Sequence, residues 1–226
     1  MKRSTINAYL KEARSFFKEH SFALPPWADW TLNDWRSSGY DCRAVFEGHL
    51  GWDLTDFGME NYEKRGLMLF TLRNGNPYEP QKIYAEKIMI VGENQETPMH
   101  FHWDKTEDII NRGGGNLIIE LWNSDSEENP LNTPVEVMID SIPVKKEAGE
   151  PVVLKPGMSI TLTTGLYHRF YGEEGKGPVL AGEVSKTNDD NTDNRFYEKT
   201  GRFPEIEEDE EPWRLLVGDY STFLKV

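Results

Sequence analysis

The sequence is short of cysteine, of long apolar runs and of clustered positive charge, and each shortage closes off a class of function. One cysteine, Cys42, cannot form a disulfide within the chain, and no CxxC pair exists to bind a metal or pass electrons. This usage suits a reducing compartment. No stretch approaches the roughly 18 consecutive apolar residues of a membrane-spanning helix. The start, Met1-Lys2-Arg3-Ser4-Thr5, runs into mixed charge rather than the apolar core of a secretory signal. The expectation is a cytoplasmic protein without a membrane partner. Lys and Arg nowhere gather with aromatics, and the formal net charge is -14, so the electrostatic footprint of a nucleic-acid binder is missing.

What is present suffices for a folded core. In 226 residues, 37% are hydrophobic and 12% aromatic, which fits one principal domain with decorations. Six acidic residues, Glu205, Glu207, Glu208, Asp209, Glu210 and Glu211, form one run that reads as a solvated loop. Near the start, Ile6, Leu10, Ala13 and Phe17 recur at helical spacing, with Ser4 or Thr5 as a cap and Pro25-Pro26 barring continuation. Thr31 and Asp34 have capping-box spacing and predict a second short helix. Trp27, Trp30 and Trp35 read as seals against the body rather than as ligand-stacking rings.

From about Leu67 the texture changes to short apolar segments between Gly, Pro, Asn and Asp clusters, which signals a mainly β sandwich or barrel. The predicted strands are Leu67 to Leu72, Tyr84 to Val91, Thr97 to Trp103, Glu107 to Arg112, Asn116 to Trp122, Val135 to Ile139, Pro151 to Leu154, Ser159 to Thr163, His168 to Gly172 and Val179 to Ser185. From Lys186 the composition is again loop-rich, with Trp213-Arg214-Leu215-Leu216 as a docking element. The expected organisation is a helical extension over 1–66, a β-barrel over 67–185 and a C-terminal segment over 186–226 that wraps it.

His100-Phe101-His102 is the most informative triplet. Residues two apart on a strand share a face, so both imidazoles can enter one barrel interior while Phe101 faces away. Glu107 follows a Trp103-Asp104-Lys105-Thr106 turn that could return its carboxylate to the same point, and His168 opens a later strand. Three imidazoles and a carboxylate suit a first-row transition ion with positions left for water or substrate. A lone strand histidine is more often structural, and His20 and His49 read as ordinary surface or packing residues. Gly113-Gly114-Gly115 lacks the Lys-Ser or Lys-Thr and the strand-to-helix context of a phosphate loop, and reads as a tight turn. Phe101, Trp103 and Trp122 read as core more than as a ligand wall.

These residues carry a resemblance. His100-x-His102, Glu107 and Gly114 resemble the first cupin motif, and Pro156-Gly157 with Gly165-x-x-His168 and Gly172 resemble the second. One departure is Asn94, which stands where the first motif usually has Gly; Asn tolerates the positive φ such a turn needs. The strings Tyr84-Ala85-Glu86-Lys87-Ile88-Met89, Thr97-Pro98-Met99-His100-Phe101-His102-Trp103, Glu107-Asp108-Ile109-Ile110-Asn111-Arg112-Gly113-Gly114-Gly115-Asn116 and Gly182-Glu183-Val184-Ser185-Lys186-Thr187-Asn188-Asp189-Asp190-Asn191 are similar, over nearly the whole chain, to the D-lyxose isomerase family. The fold this implies is a single jelly-roll barrel of the cupin type.

The resemblance further implies interconversion of D-lyxose with D-xylulose, and of D-mannose with D-fructose, through a metal-stabilised enediol. It implies a divalent metal held by His100, His102, Glu107 and His168, with Mn2+ first and Co2+, Zn2+, Fe2+ or Ni2+ as other ions that suit the set. A homodimer acting on a small sugar is the implied assembly. Candidate acid/base groups are Lys105 in the histidine-to-glutamate turn, Glu183 on an alternating strand, and Lys87, a lone lysine before apolar residues. Asp190 and Arg195 are candidates for binding sugar hydroxyls. The competing readings are an Fe(II)-dependent cupin dioxygenase and a non-catalytic sugar-binding cupin.

Overall fold

A computed structural model describes residues 1–75, 81–187, 189 and 192–224. Helix α1 (Arg3–Glu19) buries Ile6, Leu10, Ala13 and Phe17, the stripe that the spacing predicts. Its start departs from expectation. Lys2 is the N-cap and makes no side-chain cap, while Ser4 lies in the first turn and donates its backbone N–H and its hydroxyl to the Asp209 carboxylate at 2.9 and 2.7 Å. The helix ends at Glu19, ahead of the two prolines, and Ser21 follows at φ 55°.

The acidic run is an exposed loop, as its composition predicts, and it also straps onto the start of α1. Lys2 bridges Glu207, the Arg3 N–H donates to the Glu207 carbonyl at 2.8 Å, and the Asn7 amide donates to Glu210 at 2.6 Å. The first turn of a helix offers N–H groups without internal partners and the positive end of its dipole, so carboxylates settle there. Beside them the Arg3 guanidinium, fully buried, forks onto Asp219 at 2.8 and 2.9 Å and onto Glu208 at 2.7 and 2.9 Å.

A one-turn 3-10 helix at Pro26–Asp29 leads to α2 (Leu32–Ser37) and α3 (Arg43–Glu47). The Thr31 capping box forms as predicted, the Thr31 N–H donating to Asp34 at 2.8 Å and the Asp34 N–H to the Thr31 hydroxyl at 3.2 Å. Trp27, Trp30 and Trp35 pack with Phe46, Leu215 and Tyr220, so they do seal this corner, and Leu215 and Leu216 dock the C-terminal segment.

The strands are β1 (Gly51–Thr55), β2 (Leu67–Arg73), β3 (Tyr84–Val91), β4 (Thr97–His102), β5 (Glu107–Gly114), β6 (Leu117–Ser124), β7 (Pro130–Leu131), β8 (Val135–Ile139), β9 (Ile142–Lys146), β10 (Val152–Leu154), β11 (Ser159–Leu162), β12 (Tyr167–Gly172), β13 (Val179–Lys186) and β14 (Asn194–Phe196), and α4 (Tyr220–Leu224) follows. All ten predicted strands form; β1, β7, β9 and β14 are additional. An eight-stranded sheet runs β1-β2-β3-β13-β5-β11-β8-β9, and a second runs β10-β6-β12-β4-β14 with β7 beside β6. Every pairing between these strands is antiparallel.

The two sheets share one core, in which Val91, Ile109, Ile160 and Ala181 of the first meet Leu117, Ile119, Leu154 and Phe170 of the second. This is the mainly β jelly-roll that the resemblance implies. Helix α1 covers the outer face of the large sheet through Trp52, Leu54, Met68, Phe70 and Ile88. The expected boundaries do not coincide with the sheets, because β1 from the first 66 residues pairs with β2, and β14 from beyond 185 pairs with β4. No helix of the described residues is long and apolar enough to cross a membrane.

Two turns bear out their composition. Asn94 has φ 54° and donates its N–H to the Gly172 carbonyl at 2.9 Å, so it does the work of the usual glycine. Gly114 has φ 82°, and a Cβ there would lie 2.3 Å from the Pro178 carbonyl oxygen.

Replacing Arg3 by Met should destabilise the protein by about 3–5 kcal/mol, because it strands Asp219 without its charge partner. Urea unfolding followed by tryptophan fluorescence measures the loss.

Candidate active site

Four side chains converge between the sheets. Strand β4 sends His100 and His102 inward, and β12 places His168 directly opposite His100 in register. Ring centroids lie 4.2 Å apart for His100 and His168 and 5.0 Å apart for His100 and His102, and one nitrogen from each of the three rings lies within 4.8 Å of the others. The large sheet supplies the fourth group, Glu107 at the head of β5, whose Oε1 is 3.4 Å from Nε2 of both His102 and His168. All four residues are buried, none more than 7% exposed.

Backbone carbonyls settle the tautomers. Nδ1 donates to Pro98 at 2.7 Å from His100, to Asp193 at 3.1 Å from His102 and to Leu166 at 3.0 Å from His168. A carbonyl oxygen only accepts, so each Nδ1 carries the proton and each Nε2 offers a lone pair. Nε2 of His102 and of His168 is buried without a hydrogen-bond partner among the described residues, and both face the carboxylate oxygen of Glu107, another acceptor. Such an arrangement is repulsive until a cation sits among the lone pairs, and the donor set suits a divalent first-row ion.

Burial, reinforced by the other two imidazoles, holds His100 well below the usual histidine range. Burial also brings His168 down to about 4, against the pull of Glu107. For Glu107 burial works upward, but the Lys105 ammonium and the neighbouring imidazoles outweigh it and keep the carboxyl well below its ordinary value. At neutral pH the His100 and His168 rings are thus neutral beside an ionised Glu107.

A chain of alternating charge continues from Glu107. Lys105 Nζ lies 2.7 Å from Glu107 Oε2 and 3.0 Å from Glu183 Oε1; Lys87 Nζ approaches the same Glu183 oxygen at 3.3 Å, and the Ser185 hydroxyl donates to it at 2.9 Å. Register explains the meeting, since Lys87 is opposite Glu183 across β3 and β13, and Ser185 is opposite Glu107 across β13 and β5. Lys87, Lys105, Glu107 and Glu183 line a cavity of about 560 Å³ whose remaining wall includes Leu67, Met89, Phe170 and Phe196.

Other expected residues lie elsewhere. Asp190 is outside the described residues. Arg195 is registered with the outward-facing Phe101 and donates to Glu128 at 2.7 Å, and it does not line the cavity. Phe101 is buried against Tyr167 on that outer face, as a core reading requires, whereas Trp103 beside it is exposed and Trp122 half-buried. His20 rests on Phe16 as a packing residue, and His49, φ 50°, is an exposed surface residue at the border of the cavity. Thr200, Gly201, Arg202 and Phe203 border it as well.

Sequence reasoning missed Asp193. Its carboxylate accepts the backbone N–H groups of Asp104 at 2.8 Å and Lys105 at 3.0 Å, while its carbonyl fixes His102. No local pattern announces it, because its partners lie about 90 residues away. Ser185 was legible in principle, two residues from Glu183 on the same face of a strand.

The Asp193→Ala variant keeps the carbonyl that fixes His102 but releases the turn that leads to Glu107, and should bind divalent metal about 10-fold more weakly, at the low end of outer-shell losses. Competition against a chromophoric chelator reads the change.

A family model described as D-lyxose isomerase matches residues 1–220. The D-lyxose/D-mannose isomerase of Escherichia coli O157:H7 is 50% identical over 230 residues, covering 99% of this chain and 100% of that one. The protein of the same name from Serratia proteamaculans is 48% identical over 227 residues, with 99% and 100% covered. Among solved structures, L-ribose isomerase from Cellulomonas parahominis superposes with a TM-score of 0.59 at 16% identity, covering 92% of this chain and 98% of that one. L-ribose isomerase from Acinetobacter sp. DL28, in complex with L-ribose, gives 0.61 at 15% identity, covering 88% and 93%. At these identities the two structures speak for the fold alone.

Proposed function

The chain belongs to the D-lyxose isomerase family, and from that premise we propose that it is a metal-dependent aldose-ketose isomerase interconverting D-lyxose with D-xylulose and D-mannose with D-fructose. The observation that carries the reading is that Lys87, Glu183, Lys105 and Glu107, a buried chain of alternating charge, line one cavity and abut the cluster of three histidines.

Isomerisation moves a proton between C1 and C2 of the open-chain sugar through an enediol. Glu183 is the group suited to take that proton and return it to the neighbouring carbon. Its competitors are less suited, because Glu107 faces the histidine cluster and both lysines stand as ammonium partners of carboxylates. Three donors hold Glu183 Oε1, so among the described residues Oε2 is the oxygen left for the substrate. Lys105, pinned at its backbone by Asp193, is placed to donate to a sugar oxygen as charge develops on it. Lys87 orients Glu183.

His100, His102, Glu107 and His168 would hold a divalent ion, for which we favour Mn2+, and when bound it supplies positive charge to the oxygens of the reacting carbons. The single cysteine fits a cytoplasmic enzyme, and the family premise fits a homodimer.

Metal-loaded protein should convert D-lyxose to D-xylulose, chelation should abolish the conversion, and the reaction should proceed without oxygen. Ketose detection on chromatography checks all three, and absence of metal-dependent ketose from both lyxose and mannose would overturn the proposal. Glu183→Gln should keep its metal while kcat falls by about 10²–10⁴.

A further inference from the structure

We propose that Thr97 is a specificity residue, its hydroxyl bonding a sugar hydroxyl remote from C1 and C2; this deepens the isomerase reading and rests on it. Thr97 is 4% exposed and lines the cavity, and its Oγ1 is buried without a hydrogen-bond partner among the described residues. A buried hydroxyl facing no partner is costly, and native structures satisfy such groups with protein, water or ligand.

The strand is built to present it. Positions 97 and 100 differ by three, so in a regular strand they would face opposite ways. Between β4 and β12, however, His168 pairs with His100 and Phe170 pairs with Thr97, so the two-residue step on β12 spans three residues on β4. That irregularity is a bulge, a device that re-aims a side chain. It turns Thr97 into the same cavity as His100, where the side chain registered opposite, Phe170, offers nothing to bond.

Placement selects the ligand group. Thr97 stands three residues along β4 from His100, at most about 10 Å at the usual rise per residue. A sugar with its reacting carbons beside the histidines and Glu183 extends its far hydroxyls over that span. A neutral hydroxyl, donor and acceptor at once, is the natural complement of another.

The test compares wild type, Thr97→Val and Thr97→Ser on D-mannose and on its 3-, 4- and 6-deoxy analogues. T97V should lower kcat/KM on D-mannose about 10-fold, the usual worth of a neutral hydrogen bond. The loss should fall mainly on KM, T97S should restore the rate, and for one deoxy sugar wild type and T97V should be equal. Unliganded T97V should melt no lower than wild type, since valine removes an unsatisfied group at similar volume; Thr97→Ala gives the same kinetic comparison if valine disturbs packing. No loss with T97V, or an equal loss on every sugar, overturns the proposal. If wild type isomerises nothing, the isomerase reading fails. The hydroxyl contact is then judged by melting temperature: stabilisation of wild type but not T97V by D-mannose supports it, and equal or absent stabilisation overturns it.

Discussion

Lone pairs that converge in a dry place repel each other, and the centre of this molecule is organised around that fact. Three carbonyls hold the Nδ1 protons of His100, His102 and His168 on the far side of each ring, so every Nε2 is aimed inward. Glu107 completes the set from the opposite sheet. Neither sheet contains the site. The small sheet contributes imidazoles, the large sheet contributes the two carboxylates and Lys87, the turn between β4 and β5 contributes Lys105, and the shared apolar core sets the distance between the layers. A cation among the donors would therefore tie the two layers together as well as serve chemistry.

Electrostatic order spreads outward from that point. Glu107 holds Lys105, Lys105 holds Glu183, and Glu183 is shared with Lys87 and Ser185, so that each buried charge has an opposite neighbour. Asp193 then joins the turn carrying Lys105 to the histidine strand. The same logic operates at a distance from the cavity, where the acidic strap meets the first turn of α1 and Arg3 is shared between Asp219 and Glu208. Through the strap the C-terminal segment is anchored to the helix that covers the large sheet. The cavity border at 200–203 belongs to that segment too.

Much of this was legible along the chain because it is periodic or local. Apolar alternation located ten strands, helical spacing located the buried stripe of α1, and Thr31 with Asp34 located a capping box. The short or polar strands, such as β7 at Pro130–Leu131 and β14 at Asn194–Phe196, carried too little apolar pattern to be seen. The acidic run is exposed as its charge predicts, but its contact with α1 was not legible, because a run of like charge states nothing about a helix terminus about 200 residues away. Arg195 is a candidate for binding sugar hydroxyls by sequence, but a strand register turns it outward onto Glu128.

By itself the sequence determined the residue types of the site and their facing: an HxH pair on a strand, a glutamate one turn later, and charged residues at alternating positions, all consequences of a two-residue repeat. It also determined the family. Only the tertiary structure decided which charges became neighbours, which nitrogen of each histidine bore its proton, and that a bulge would turn Thr97 inward. Those outcomes depend on register between strands and on partners far apart in the chain, and no local pattern encodes either.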